Sequence, residues 1–392
     1  MDRTEEVTFA LGLEVCAAEP PAILRGRRFG LLMNQASVDD AFRYAHAVLD
    51  AALPGQLVAL FSPQHGFFSE QQDNMIESGH AREPRSGVPI HSLYSEHRKP
   101  TPDMLDGVEV LVVDLQDVGT RVYTFIWTIA LCMEACAAKG IPVLVLDRPN
   151  PLGGEILEGP LLDPDFTSFV GGAAIPMRHA LTVGEMTAFL NASLGLGAQV
   201  EVVPMRGWTR RMLWSDTGRP WLPPSPNLPR FEGVLCYPGQ VLLEGTLLSE
   251  GRGTTTPFEV LGAPFVDPAR LLDEVQALPD FPSFGVTLRA VRFEPTFQKC
   301  AGQSCGGVFL HPDPRRVRSY RLTLALLWAV RRLWPMHFAW RQPPYEYEND
   351  KLPIDILTGN EAVRQQIEAG VLPTDTLREE AWRAAIAPHL LY

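Results

Sequence analysis

The stretch from residue 108 to residue 146 constrains the fold more than any other. It opens with VEVLVVDL (108–115), a near-continuous apolar run rich in valine. Such a run suits a strand buried on both faces, the habit of parallel sheets. Residues 123–139 then give a long apolar segment suited to a helix, closed by Gly140, and 142–146 give a second strand. A strand–helix–strand unit of about 40 residues predicts parallel neighbours joined by a right-handed crossover. Residues 29–33 and 57–61 read as further buried strands. Thr182 and Glu185 form the capping box of a helix over 182–194, with a strand at 198–204 after it. Repeated units of this kind predict an α/β fold with a doubly wound parallel sheet.

The chain has 392 residues, more than one hydrophobic core usually supports, so two domains are expected. The pattern changes after about residue 262. Residues 284–293 and 307–311 read as strands, 320–334 as an amphipathic helix with a basic outer face, and 361–370 and 376–387 as helices. The expected division is a larger domain over 1–262 and a smaller α+β domain over 263–392. Hydrophobic residues make up 46% and charged residues 20%, which fits a folded globular enzyme and not a disordered chain. The net charge of −12 disfavours nucleic-acid or anionic-membrane partners, yet permits a small anionic ligand held by a few arginines. No apolar run of about 18 residues is present to span a membrane. The acid-bearing start, MDRTEEVTFALGLEV, does not read as a signal peptide. Six cysteines without a CxxC pair suit a reducing, cytoplasmic setting.

Chemistry concentrates in LEGTLLSEGRGTTTPF (243–258), which packs Glu244, Glu250, Arg252, five hydroxyls and three glycines together. Its glycines and threonines oppose an ordinary helix, so it reads as a loop built to hold a polar ligand, or more plainly as a solvated turn. The apolar residues before it, 234–243, read as a strand. In open parallel sheets, ligands bind beyond the carboxyl ends of the strands. There the first strand pair offers Gln64, His65 and Glu70, the valine-rich strand Asp117, Arg121 and Tyr123, and the next strand Asp147, Arg148 and Asn150. Plainer roles exist for each. Asp117 suits a turn before Gly119, Asp147 and Arg148 an ion pair at the sheet edge, Asn150 the PNP turn, Tyr123 the core, and His65 a turn. WLPPSPNLP (221–229) is an extended loop carrying Trp221 and Asn227, either a lid or interdomain packing.

Nucleotide-binding and zinc signatures are missing, so neither a cofactor nor a metal is expected. GQSCG (302–306) fits G-x-S-x-G, but a strand-like VFLH follows where a hydrolase elbow needs a helix. Carboxylate chemistry remains. Glycoside hydrolysis needs one protonated acid and a second carboxylate, or a substrate amide in its place, and the candidates are Glu250, Glu244 and Glu70.

Ordered motifs run almost end to end: SPQHGFFSEQQ, DLQDVGTRVYTF, VLDRPNPLGG, SFVGGAAIPMRHALTVGE, PPSPNLP, LLEGTLLSEGRGTTTPFEVLGAP, FEPTFQK, CGGV and the closing LLY. Together they resemble the NamZ-type exo-β-N-acetylmuramidases, glycoside hydrolase family 171. The resemblance implies a Rossmann-like larger domain, a smaller C-terminal domain and a cleft between them. It also implies release of terminal N-acetylmuramic acid from peptidoglycan fragments. On that reading Arg252, Arg121 and Arg148 suit the lactyl carboxylate, while Asp117, Asp147, Asn150 and Asn227 suit hydroxyls and the acetamido group. Gln64, His65, Tyr123 and Thr254 complete the substrate contacts. The family pattern S-P-E-H-G carries a glutamate where this chain has Gln64, and an amide neither donates a proton as an acid nor acts as a base near neutral pH. Glu70 or Glu77 would then take the role. Otherwise the substrate has shifted to another acidic sugar, or the cleft binds wall sugars without cutting them.

Overall fold

The computed structural model describes residues 8–68 and 79–392. Strands β1 (Phe29–Met33), β2 (Leu57–Ser62), β3 (Ala81–Arg82), β4 (Pro89–Ser92), β5 (Val110–Asp114), β6 (Val143–Leu146) and β7 (Val200–Val203) form one sheet. Their order is β3-β4-β2-β1-β5-β6-β7, and every pair is parallel except β3 with β4. The chain builds outward from β1 in one direction and then in the other, so the order reverses between β1 and β5.

The valine run explains the sandwich. Alternate side chains leave a strand on opposite faces. Leu111 and Val113 join Leu32, Phe61, Val143 and Val145 in one core, packed under helices α3 (Phe125–Lys139) and α4 (Val183–Ser193). Val110 and Val112 join Phe29, Leu31, Leu144 and Leu146 in the other, under α1 (Gly12–Ala18) and α2 (Ala45–Ala52). Each fully buried Val or Leu contributes about 1.5–3 kcal/mol, so a charge on β5 would have no solvated face to turn toward. Helix α3 (Phe125–Lys139) ends as the sequence predicts, with Gly140 left-handed at φ 66° and its N–H returned to the carbonyls of Cys136 and Ala137. Helix α4 (Val183–Ser193) starts on the predicted capping box of Thr182 and Glu185.

The predicted strand at 234–243 is instead helix α5 (Phe231–Gln240), followed by a 3-10 turn over Val241–Gly245. A short apolar run cannot distinguish a buried strand from a buried helix. Here every residue from Gly233 to Gln240 is buried, so the helix is apolar all round. Strands β8 (Val260–Ala263), β9 (Val286–Phe293) and β10 (Cys305–Pro312) make a second, antiparallel sheet of order β8-β10-β9. GQSCG runs directly into β10, so no nucleophile elbow forms there.

Helices α6 (Pro268–Gln276) and α7 (Ser319–Leu333) complete this unit, with α7 packed on α5. Gly239 permits that approach, because a Cβ at this position would collide with the Ser319 carbonyl. Helix α8 (Pro353–Thr358) clamps the 3-10 turn that leads into the polar loop. The chain then returns to the first sheet. The Tyr392 hydroxyl donates to Asp147 at 2.7 Å and accepts from the Met205 N–H at 2.7 Å. Among the described residues no helix is long and apolar enough to cross a membrane.

Candidate active site

A cavity opens beyond the carboxyl end of β2 and beside the segment joining β5 to α3. It encloses about 440 Å³ of non-atom space, open solvent at its mouth included. The first domain supplies Gln64, His65, Tyr123, Thr124 and Val170, and the proline-rich loop supplies Ser225, Asn227 and Leu228. The other wall is Tyr237, Glu244, Arg252, Phe258, Tyr345 and Glu346.

The polar groups of the first wall are positioned by one another. Pro63 follows β2 and the chain turns sharply, with His65 at φ 75° and Gly66 at φ 84°. The Thr124 hydroxyl donates to Gln64 Oε1 at 2.7 Å, which leaves the amide nitrogen of Gln64 as a donor. His65 Nε2 lies 3.2 Å from the Ser225 hydroxyl, tying the strand end to the proline-rich loop.

Arg252 organises the opposite wall. One arm donates to Glu244 Oε1 at 2.6 Å and the other to Glu250 Oε1 at 2.9 Å. The guanidinium also lies 4.9 Å from the Phe258 ring centroid. Burial alone would lower its pKa, but the two carboxylates outweigh burial and raise it. Glu250 lies behind this wall, clasped by Lys299 at 2.6 Å. Burial pushes its carboxyl up, yet Lys299 and Arg252 prevail and hold it at about 2. Glu244 reaches the cavity, where the Tyr345 hydroxyl donates to its second oxygen at 2.7 Å.

Glu346 is the acid the sequence reading missed. Burial, and then the charge of Glu244, raise its carboxyl to about 7, against weaker lowering by Tyr94, Arg252 and Arg341. Its side chain accepts from the Tyr94 hydroxyl at 3.3 Å, and among the described residues no cation makes a salt bridge to it. The local signal was the repeat Tyr-Glu-Tyr-Glu at 345–348, but nothing in its spacing pointed to the cavity.

Several predicted site residues lie elsewhere. Arg148 forks onto Asp114 at 2.6 and 2.8 Å and reaches the Val38 carbonyl, closing the gap where the strand order reverses. Asp147 accepts from the Gly184 N–H, Thr182 and Tyr392, although burial still raises its carboxyl to about 6. Asn150 braces its own turn through the Leu152 N–H and the Leu181 carbonyl. Asp117 accepts from the Gly119 N–H at 2.7 Å and faces His179 at 3.3 Å. Arg121 is fully buried and donates to the carbonyls of Pro160, Ile175 and Leu357, and burial lowers its pKa to about 10. None of these five lines the cavity. Thr254 faces a shallow groove beside β9, and Trp221 packs on Trp214 and Phe231. Glu70 and Glu77 lie outside the described residues.

The fold and cavity define a two-domain α/β protein with a buried, carboxylate-bearing pocket at the edge of a doubly wound sheet. Two family models cover nearly all of the chain. Exo-beta-N-acetylmuramidase NamZ, N-terminal, matches residues 29–232, and Exo-beta-N-acetylmuramidase NamZ, C-terminal, matches 235–392. The chain is 40% identical over 360 residues to the peptidoglycan beta-N-acetylmuramidase NamZ of Bacillus subtilis, covering 92% of this chain and 84% of that protein. Crystal structures of two DUF1343 family proteins from Bacteroides fragilis superpose with TM-scores of 0.85 and 0.74, at 30% and 28% identity. Each alignment covers 98% of this chain and 99% of the other. The chain belongs to the NamZ family, as its motifs led us to expect.

Proposed function

We propose that this chain is an exo-acting glycosidase that removes terminal N-acetylmuramic acid from peptidoglycan-derived saccharides. One observation carries the reading in a chain of this family. Segments far apart in sequence, at 64–65, 225–228, 244–252 and 345–346, converge on one pocket that holds carboxylates. Its lining mixes carboxyl, amide and imidazole groups with tyrosine rings, the side-chain types that suit a polar sugar.

In this reading Glu244 is the ionised partner. Arg252 and Tyr345 hold its oxygens, so it can stabilise positive charge developing at the anomeric carbon. The Gln64 amide and Asn227 supply neutral donors for the acetamido group, and His65 lies beside them for the lactyl carboxylate. Tyr123 and Tyr237 present aromatic surface to the sugar. Glu250 acts from behind, by fixing Arg252.

The test incubates the purified chain with two disaccharides, one ending in N-acetylmuramic acid at its non-reducing end and one ending in N-acetylglucosamine. Release of N-acetylmuramic acid from the first alone is expected. Binding of the first without turnover, or cleavage of both alike, would overturn the reading.

A further inference from the structure

We infer that Glu346 is the proton donor of this site. This rests on the glycosidase reading above and assigns the remaining half of its chemistry.

The backbone is the first argument. Tyr345 and Glu348 exchange both backbone hydrogen bonds at 2.9 Å, leaving Glu346 and Tyr347 as the two central residues of a tight hairpin turn. Both have positive φ, 44° for Glu346 and 70° for Tyr347. Turns of that shape normally carry Asn-Gly or a similar pair, because other side chains are strained there. A glutamate and a tyrosine held so are both strained, and the surrounding structure must hold them there. The turn leaves Glu346 in the lining of the cavity and only 4% exposed.

The surroundings are the second argument. The groups facing Glu346 are Glu244 and Arg252 from the polar loop, Tyr237 from α5, Tyr94 from the segment after β4, and Tyr345 and Arg341 from its own segment. Arg252 is already shared between Glu244 and Glu250. Two carboxyls flank one pocket, and the cation belongs to Glu244. Like charges so placed cannot both ionise easily, and the one without the cation keeps its proton. The rise of Glu346 to about 7 agrees with that geometry.

The step balances simply. The Glu346 carboxyl gives its proton to the glycosidic oxygen as the bond from that oxygen to the anomeric carbon breaks. The bonding pair departs with the oxygen, which leaves as the alcohol of the next sugar. A water supplies hydroxyl to the anomeric carbon, and the proton it sheds restores the neutral carboxyl.

The test compares wild type with Glu346→Gln on two substrates: the N-acetylmuramyl disaccharide, and a 2,4-dinitrophenyl N-acetylmuraminide whose leaving group needs no proton. Loss of about 10²–10⁴-fold in kcat on the disaccharide, with near-normal kcat on the aryl glycoside, is expected. Retained disaccharide turnover would overturn the assignment, as would an equal loss on both substrates at an unchanged melting temperature. If the variant melts early, the wild-type pH profile decides. The disaccharide rate must fall about tenfold per pH unit above about pH 7, with the aryl glycoside rate flat, and parallel profiles overturn the assignment. A wild type inert toward both substrates sinks the glycosidase reading itself, and the acid with it.

Discussion

Replacing Arg252 by methionine removes the cation that two buried carboxylates share. The side-chain exposures are 8% for Arg252, 5% for Glu244 and 1% for Glu250, so water cannot replace it. Methionine keeps the aliphatic stem against Phe258 and deletes only the charge and its donors. Glu250 retains Lys299 at 2.6 Å, whereas among the described residues Glu244 retains the Tyr345 hydroxyl and no cation. Removing one partner of a buried ion pair costs about 3–5 kcal/mol. Because one of the two carboxylates stays paired, the lower end, about 3 kcal/mol, is expected, roughly a 150-fold shift in the folding equilibrium. Urea unfolding followed by tryptophan fluorescence reads that shift. Adding Glu244→Gln removes the orphaned charge and should recover at least about 1 kcal/mol in a double-mutant cycle. A single variant within about 1 kcal/mol of wild type, or a double variant no more stable than the single one, would refute this account of the wall.

Tyr345→Phe deletes one hydrogen bond to Glu244 and leaves the ring. A hydrogen bond to a charged group is worth about 1.5–3 kcal/mol, so disaccharide kcat should fall about 10–100-fold, and unchanged kcat would count against Glu244 in its proposed role. The Glu250 carboxyl lies well below its usual 4.5, near about 2. A lowered carboxyl stabilises the folded state above its unfolded pKa, and that contribution is lost as pH falls through the folded value. Stability should therefore drop by about 3 kcal/mol between pH 4.5 and 2 on this account. Glu250→Gln should be less stable at neutral pH and flatter across that window, and equal slopes in denaturation series would contradict it.

The parallel sheet was legible because its strands announce themselves locally. A valine run buried on both faces, a helix closed by Gly140 and a capping box at Thr182 each depend on neighbours within one or two turns. The edge strand β3 and its neighbour β4 were not anticipated, being two and four residues long with little apolar pattern. Helix α5 was mistaken for a strand because burial on all sides erases periodicity. Glu244, Arg252, Gln64, His65, Tyr123 and Asn227 were expected from strand ends and loop composition, and they line the candidate cavity together. The same rule also drew in Asp117, Arg121, Asp147, Arg148 and Asn150, which cap turns, helices and the sheet edge instead. An acid or arginine at a strand end looks alike in sequence whether it meets a ligand or a buried backbone group.

The sequence by itself determined most of the secondary elements, the doubly wound sheet and the family, since these follow from periodicity, caps and ordered motifs. Only the tertiary structure decided which carboxylate keeps a cation and which keeps a proton. That choice depends on Arg252 lying between Glu244 and Glu250 while Glu346, about a hundred residues away, enters the same pocket on a strained turn. Ionisation is set by distance and burial, and neither quantity is written in the order of residues.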